Sequence, residues 1–156
     1  MSALFDHIAQ HKDRYERELK DFLRIPSIST APEHTADVRR CAEFVRDEMI
    51  RIGLEHVEIH ETARHPVVFG ERLDAGPGAH TVLFYGHYDV QPVDPLELWT
   101  APPFEPTGVG DQIYARGSSD DKGQVFLQLK ALEALLAVEG TLPVNVKVII
   151  EGEEEI

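Results

Sequence analysis

His87 and Asp89 are the first pair of ionisable residues whose spacing could support metal binding or catalysis. They lie within "TVLFYGHYDVQP" (81–92). Residues 81–85 are apolar enough to predict a buried, central β-strand. Side chains two positions apart project to the same side of an extended chain, so this histidine and aspartate are expected to lie side by side. A metal-bound imidazole needs its second ring nitrogen held, commonly by a carboxylate. The pair therefore predicts either a metal ligand with its orienting carboxylate, or a hydrogen-bonded His–Asp pair at a strand end.

Asp120 and Asp121 form the second pattern, in "ARGSSDDKG" (115–123), just ahead of the strongest helical periodicity. Carboxylates at a helix start are favoured by the helix dipole, so the pair could serve only to stabilise the start of the helix. Gly117 and Gly123 flank the pair, and glycines let a backbone approach a site closely. A loop carboxylate can also bridge two metal ions, and both interpretations stay open from this pattern alone.

The third pattern is the acidic run "EGEEEI" (151–156). Such a run is usually a solvated surface. Here it follows "VNVKVII", a near-continuous apolar strand of the kind that is buried on both faces. Carboxylates at the end of a buried strand need metals, partners or water.

Taken together, the three patterns favour a metal site. Histidine and carboxylates suit zinc, manganese or cobalt. Cys41 is the one cysteine and belongs to none of the patterns, which weakens a structural zinc interpretation. A serine nucleophile is disfavoured, because Ser118 and Ser119 lie in a predicted turn and the sequence has no GxSxG motif.

The elements that must position these residues follow from hydrophobic spacing. Helices are predicted over 2–25, 36–53 and 121–140, and strands over 56–61, 66–72, 80–87, 112–117 and 142–152. The apolar stripes are Phe5, Ile8, Tyr15, Leu19 and Phe22 on the first helix, Val38, Cys41, Val45, Met49 and Ile52 on the second, and Val125, Leu129, Leu132 and Leu136 on the third. Strands that alternate with helices indicate the α/β class, with a sheet between helices.

Composition narrows the classes of partner. The net charge of −13 argues against nucleic acid or an anionic membrane, since both require basic patches. A single cysteine cannot form an internal disulfide and fits a reducing compartment. The charged N-terminus lacks a signal-peptide pattern, and no apolar run is long enough for a membrane span, so the cytoplasm is the expected location. Because the sequence stops directly after a strand pattern, we expect a fragment of a longer protein.

Four stretches resemble, in order, the dinuclear-zinc exopeptidases and amidohydrolases, which include carnosinases, cytosolic dipeptidases, aminoacylases and desuccinylases. The stretches are "LKDFLRIPSIS", "VLFYGHYDVQP", "IYARGSSDDKGQ" and "VNVKVIIEGEEEI". "YGHYDVQP" with "SSDDKG" is most similar to the dipeptidase and carnosinase branch. The resemblance implies a three-layer, zinc-exopeptidase-like (phosphorylase/hydrolase-like) α/β domain with a mixed sheet between helices. Residues 1–156 would be the N-terminal part of that catalytic domain, without its C-terminal part and without the lid or dimerisation domain.

The resemblance also implies roles for individual residues. His87 resembles the histidine ligand of one zinc ion, and Asp89 the catalytic-site residue that clamps its imidazole. Asp120 resembles the carboxylate that bridges both zinc ions, and the family implies a cis peptide bond between Asp120 and Asp121.

The acidic run aligns on a Glu-Glu pair of the family. Glu154 then resembles the general base and Glu155 a ligand of the other zinc ion. A shift of one residue would make Glu153 and Glu154 the pair instead.

The implied function is hydrolysis of the amide bond of dipeptides or short peptides, with two zinc ions as cofactor, or manganese or cobalt in their place. The alternatives are an N-acyl amino acid deacylase or desuccinylase of the same family, and a non-catalytic homologue that binds metal or peptide. The full-length protein is expected to be a homodimer that takes a small peptide substrate. Residues 1–156 alone are expected to be inactive, because the family takes one further carboxylate and one further histidine ligand from downstream sequence.

Overall fold

The computed structural model describes residues 2–156, with side chains from Ala3 onward. Its helices are α1 (Ser2–Leu23), α2 (Thr35–Arg51) and α3 (Lys122–Glu139), and its strands are β1 (Glu55–His60), β2 (Val67–Arg72), β3 (Thr81–His87), β4 (Thr107–Val109), β5 (Gln112–Tyr114) and β6 (Asn145–Glu151). Every predicted helix and strand is present within a few residues of its expected bounds. Strand β4 lies in a stretch, residues 91–111, for which an ordered loop is predicted from the sequence, and it pairs with β5 as a small hairpin.

The main sheet has four strands in the order β1-β2-β6-β3. Strand β2 runs antiparallel to both β1 and β6, whereas β3 runs parallel to β6. The last strand of the chain therefore inserts between two earlier ones. This mixed sheet, with helices packed against it, confirms the predicted fold class.

The hydrophobic core lies between the sheet and the helices. Strand β6 alternates along its length, and its buried residues Val146, Val148 and Ile150 face the core. Helices α2 and α3 contribute the predicted apolar stripes, and all five residues of the α2 stripe are buried. Because α2 and α3 belong to the same core cluster, they cover the same face of the sheet. The second helical layer of the three-layer arrangement stays a prediction.

Two expectations about burial are wrong for the described residues. Strand β3 was expected to be central and buried, but it is an edge strand of this sheet, and Leu83 and Tyr85 are more than half exposed (57% and 53%). Strand β6 is central, but the side that carries Lys147 is only half-buried. Apolar composition shows that a strand can be buried, whereas the pairing order determines which one has neighbours on both sides.

An ion cluster ties the three helices together. Lys130 on α3 donates to Glu48 on α2 (2.6 Å) and to Glu18 on α1 (2.5 Å). Glu133 on α3 binds Arg14 of α1 at 2.5 Å and Arg51 of α2 at 2.9 Å. Lys130 and Glu48 are buried, whereas the other members of the cluster keep partial contact with solvent.

The first half of α1 is less embedded than its stripe predicts, since Phe5 and Ile8 are exposed while Tyr15, Leu19 and Phe22 reach the core. Among residues 2–156, no helix combines the length and the apolar character needed to cross a bilayer.

Candidate metal centre

His87 is the last residue of β3, and its imidazole is buried at the end of the sheet. The ring nitrogen Nδ1 lies 3.1 Å from the backbone oxygen of Asp89 and 3.3 Å from its carboxylate. The other ring nitrogen, Nε2, lies 3.1 Å from Oδ1 of Asp120. The predicted contact between His87 and Asp89 is therefore present, and it leaves Nε2 facing the second aspartate motif.

Asp89 is completely buried and contacts two parts of the site at once. Besides His87, its carboxylate accepts the backbone N–H groups of Glu154 (3.3 Å) and Glu155 (3.0 Å). Burial alone would raise the pKa of Asp89, but the hydrogen bonds from His87 and from the Glu155 backbone lower it below its ordinary value. Asp89 is therefore held as a carboxylate that orients both the histidine and the acidic turn.

Asp120 and Asp121 occupy the loop before α3, and the peptide bond between them is cis, as the family resemblance implies. The Asp120 side chain is 74% exposed and faces His87. Asp121 has a function that sequence analysis missed, because its Oδ2 accepts the backbone N–H of His87 at 3.1 Å. A Cβ at Gly86 would lie 2.7 Å from that oxygen, so the glycine permits the approach. Gly86, just before the histidine, was the available signal in the sequence.

The acidic turn brings Glu154 and Glu155 to the same place. One ligand-type atom each from His87, Asp120 and Glu155 lie within 4.8 Å of one another. Oε2 of Glu154 lies 4.0 Å from Nε2 of His87, and its side chain is 47% exposed. Gln91 donates to the Glu155 carboxylate. The structure therefore brings all five predicted site residues together at the ends of β3 and β6.

The electrostatics of this cluster favour a cation. Burial by itself would lower the pKa of His87, but hydrogen bonding and charge from Asp89, the charge of Asp121 and the hydrogen bond with Asp120 raise it to about 9. A histidine with so high a pKa is surrounded by negative charge. The same surroundings would attract a metal ion in place of the proton.

Two buried residues that sequence analysis did not select support these loops. Lys122 is completely buried and donates from Nζ to the backbone oxygens of Phe22 (3.3 Å) and Ile25 (2.6 Å), which fixes the start of α3 to the end of α1. Burial lowers the pKa of Lys122. Tyr88, also fully buried, packs so closely on Gly152 that an added Cβ would lie 2.3 Å from its hydroxyl.

Known proteins resemble this chain both in the segment that carries the site and along its length. Residues 83–156 match peptidase family M20/M25/M40. The chain is 33% identical to human Beta-Ala-His dipeptidase and 34% identical to Cys-Gly metallodipeptidase DUG1 of Candida albicans, in each case over 99% of this chain. It also matches the crystal structure of human carnosine dipeptidase 1, with a TM-score of 0.90 and 34% identity over 99% of this chain.

The matches cover a limited part of each relative: 33% of the human dipeptidase, 35% of the Candida protein and 35% of the solved structure. The chain thus spans about a third of the length of these relatives. Sequence and fold agree with these relatives along almost the entire chain, and residues 83–156, which carry the candidate metal centre, match peptidase family M20/M25/M40.

Proposed function

We propose that the protein containing this chain is a metal-dependent dipeptidase, which hydrolyses the amide bond of dipeptides or short peptides. The observation that carries the proposal is the convergence of ligand-type atoms from His87, Asp120 and Glu155 within 4.8 Å, with Glu154 beside them. The relatives named as dipeptidases support the substrate class. We further propose that residues 1–156 form the N-terminal part of the catalytic domain.

The residues present fit a zinc centre. One imidazole and two carboxylates are ligand types that zinc prefers, and manganese or cobalt could replace it. Asp89 holds Nδ1 of His87, the arrangement that keeps a ligating imidazole oriented. From the family resemblance we propose that His87, Asp120 and Glu155 would hold two zinc ions. When bound, such a centre lowers the pKa of water and polarises the substrate carbonyl.

Proton transfer and the orientation of a ligand are assigned to two further side chains, Glu154 and Gln91. Glu154 is exposed enough to reach solvent, and its carboxylate takes the proton of the attacking water and passes it to the leaving amine. The backbone hydrogen bond to Asp89 fixes the position from which Glu154 acts. Gln91 orients the carboxylate of Glu155.

Glu154→Gln tests the proposal in the complete protein that contains this chain. We expect kcat for dipeptides to fall by about 10²–10⁴-fold, the usual contribution of a positioned base, with zinc content near that of the wild type. Asp120→Ala should lose metal as well as turnover. The measurements are kcat and the zinc-to-protein ratio by elemental analysis.

The substrate panel separates the alternatives. Dipeptides, N-acetyl amino acids and N-succinyl amino acids would be compared with the same protein. Faster hydrolysis of the acylated amino acids would identify a deacylase or desuccinylase, and metal binding without any turnover would identify a non-catalytic homologue. A cytoplasmic location and a homodimer stay predictions from sequence and resemblance.

A further inference from the structure

Glu153, the first residue of the Glu-Glu-Glu run, is engaged with a loop rather than with the other two glutamates. Its Oε1 lies 2.6 Å from the backbone N of His65 and 3.1 Å from Oγ1 of Thr62. Both partners belong to the loop 61–66, which connects β1 and β2. A carboxylate that accepts a backbone N–H forms a charge-assisted hydrogen bond, one of the stronger kinds in proteins. Glu153 therefore fixes the acidic turn to a segment 88 positions earlier in the chain.

The loop 61–66 is itself anchored to the rest of the fold. His65 is 7% exposed, and its Nε2 contacts the backbone oxygen of Ser29 at 2.9 Å. The hydroxyl of Thr62 also reaches the backbone oxygen of His65 at 2.7 Å. Tyr88, between His87 and Asp89, donates from its hydroxyl to the backbone oxygen of Pro66 at 2.5 Å. These hydrogen bonds hold the loop 61–66 in one position beside the candidate metal centre.

The acidic turn is then held from two sides. Asp89 accepts the backbone N–H groups of Glu154 and Glu155, while the side chain of Glu153 is held by the loop. With both attachments in place, the two following side chains are directed toward His87. Sites of this kind lose function when their ligands move by about 1 Å, so an attachment one residue away affects them.

We propose that Glu153 is a positioning residue that anchors the acidic turn to the loop 61–66 and so holds Glu154 and Glu155 in place for metal binding and proton transfer. This inference rests on the proposed function. It also gives Glu153 a task other than that of general base, since its Oε1 already accepts the backbone N–H of His65 at 2.6 Å.

Zinc affinity of the complete protein, measured by competition with a chromophoric chelator, provides the first test. Glu153→Ala should weaken zinc binding by about 3–30-fold, somewhat less than the 10–100-fold typical of groups that contact a ligand directly. Glu153→Gln keeps an oxygen acceptor and should restore affinity to within about threefold of the wild type. Glu139→Ala, at the exposed end of α3, removes the same charge and serves as the matched control.

Hydrogen exchange of the His65 amide provides a second readout that does not depend on activity. Exchange at this amide should accelerate in Glu153→Ala and stay slow in Glu153→Gln and Glu139→Ala. Thr62→Val removes the hydroxyl that contacts both Oε1 of Glu153 and the backbone oxygen of His65, and it should weaken zinc binding by about two- to tenfold. This variant tests the proposal if Glu153→Ala does not fold.

Unchanged zinc affinity and unchanged His65 exchange in Glu153→Ala would overturn the proposal. So would a loss of turnover in Glu153→Gln as large as in Glu154→Gln at normal zinc content, because Glu153 would then be the base. Should the wild-type protein bind zinc but hydrolyse no dipeptide, the proposed function would fail, whereas the zinc and exchange measurements would still decide the role of Glu153.

Discussion

Asp89 is the residue on which most of the candidate metal centre depends. Its two carboxylate oxygens accept two backbone N–H groups of the acidic turn, and one of them also lies 3.3 Å from Nδ1 of His87. The two backbone groups are donors, and Nδ1 of His87 can donate to the same carboxylate when it carries a proton. The site therefore requires a group that only accepts hydrogen bonds and that stays ionised in a fully buried position.

Asp89→Asn tests this requirement with almost no change in shape. The asparagine NH₂ group must face at least one N–H donor, so one contact becomes repulsive. We expect zinc affinity to fall by about 10–100-fold, as is typical when a partner of a ligating histidine is altered. Chelator competition would measure the change, and Asp111→Asn on the exposed β4–β5 turn is the control. Equal affinities in the two variants would contradict a role for Asp89 in orienting the site.

At the scale of elements, the site depends on how closely the end of β3 approaches the start of α3. Gly86 lies where a Cβ would be 2.7 Å from Oδ2 of Asp121 and 2.7 Å from Cγ2 of Val125. The carboxylate of Asp121 accepts the N–H of His87, so this close contact sets the position of the histidine.

Gly86→Ala should separate the two elements. We expect a loss of about 1–3 kcal/mol in the free energy of unfolding, the usual cost of overpacking a filled site, together with weaker zinc binding. Urea denaturation and chelator competition are the measurements. Gly108→Ala, where an added Cβ meets nothing within 4 Å, should change the free energy of unfolding by less than about 0.5 kcal/mol. If Gly86→Ala were as stable as Gly108→Ala, the structure would tolerate a side chain between β3 and α3, and the close approach of the two elements would not be required.

At the scale of the whole molecule, the ion cluster between the three helices makes stability depend on pH. Burial would raise the pKa of Glu133, but its contacts with Arg51, Arg14 and Lys130 lower it to about 2 from an ordinary 4.5. A lowered folded-state pKa contributes stability that is fully present above about 4.5 and is lost as the pH falls toward about 2.

Glu133→Gln should therefore be less stable than the wild type at pH 7, and the difference should shrink between pH 4.5 and pH 2. We expect about 1–2 kcal/mol at pH 7, which is less than the pKa shift alone would give because these side chains keep some solvent access. Urea unfolding at several pH values measures the difference. Glu139→Gln, which removes the same charge at the exposed end of the same helix, is the control. A constant difference across the pH range would exclude the ionisation of Glu133 as its cause.

Metal binding by residues 1–156 alone is the second prediction at this scale. Three ligand side chains converge in the described residues, and two zinc ions that shared Asp120 would each have two protein ligands, whereas catalytic zinc normally has three. We expect weak zinc binding and no dipeptide turnover by this chain with added zinc, manganese or cobalt. Residues 1–156 and the complete protein would be assayed side by side. Comparable turnover by both would contradict the prediction.

Most helices and strands and the chemical character of the site can be predicted from local features of the sequence. The apolar stripes of α2 and α3 are local, because the helical repeat alone decides which residues share a face. His87, Asp89, Asp120, Glu154 and Glu155 could likewise be selected from residue type, from spacing and from the family resemblance, and the structure brings all five together.

The pairing of strands and loops, by contrast, could not be predicted from local sequence. The insertion of β6 between β2 and β3, and with it the edge position of β3, arises from contacts between residues far apart in the chain, which no local repeat encodes. The same holds within the acidic run, where three identical glutamates differ only in their partners: Glu153 meets the loop 61–66, while Glu154 and Glu155 meet the end of β3. Identical side chains acquire different functions here because hydrogen bonding and burial depend on neighbours in space rather than on neighbours in sequence.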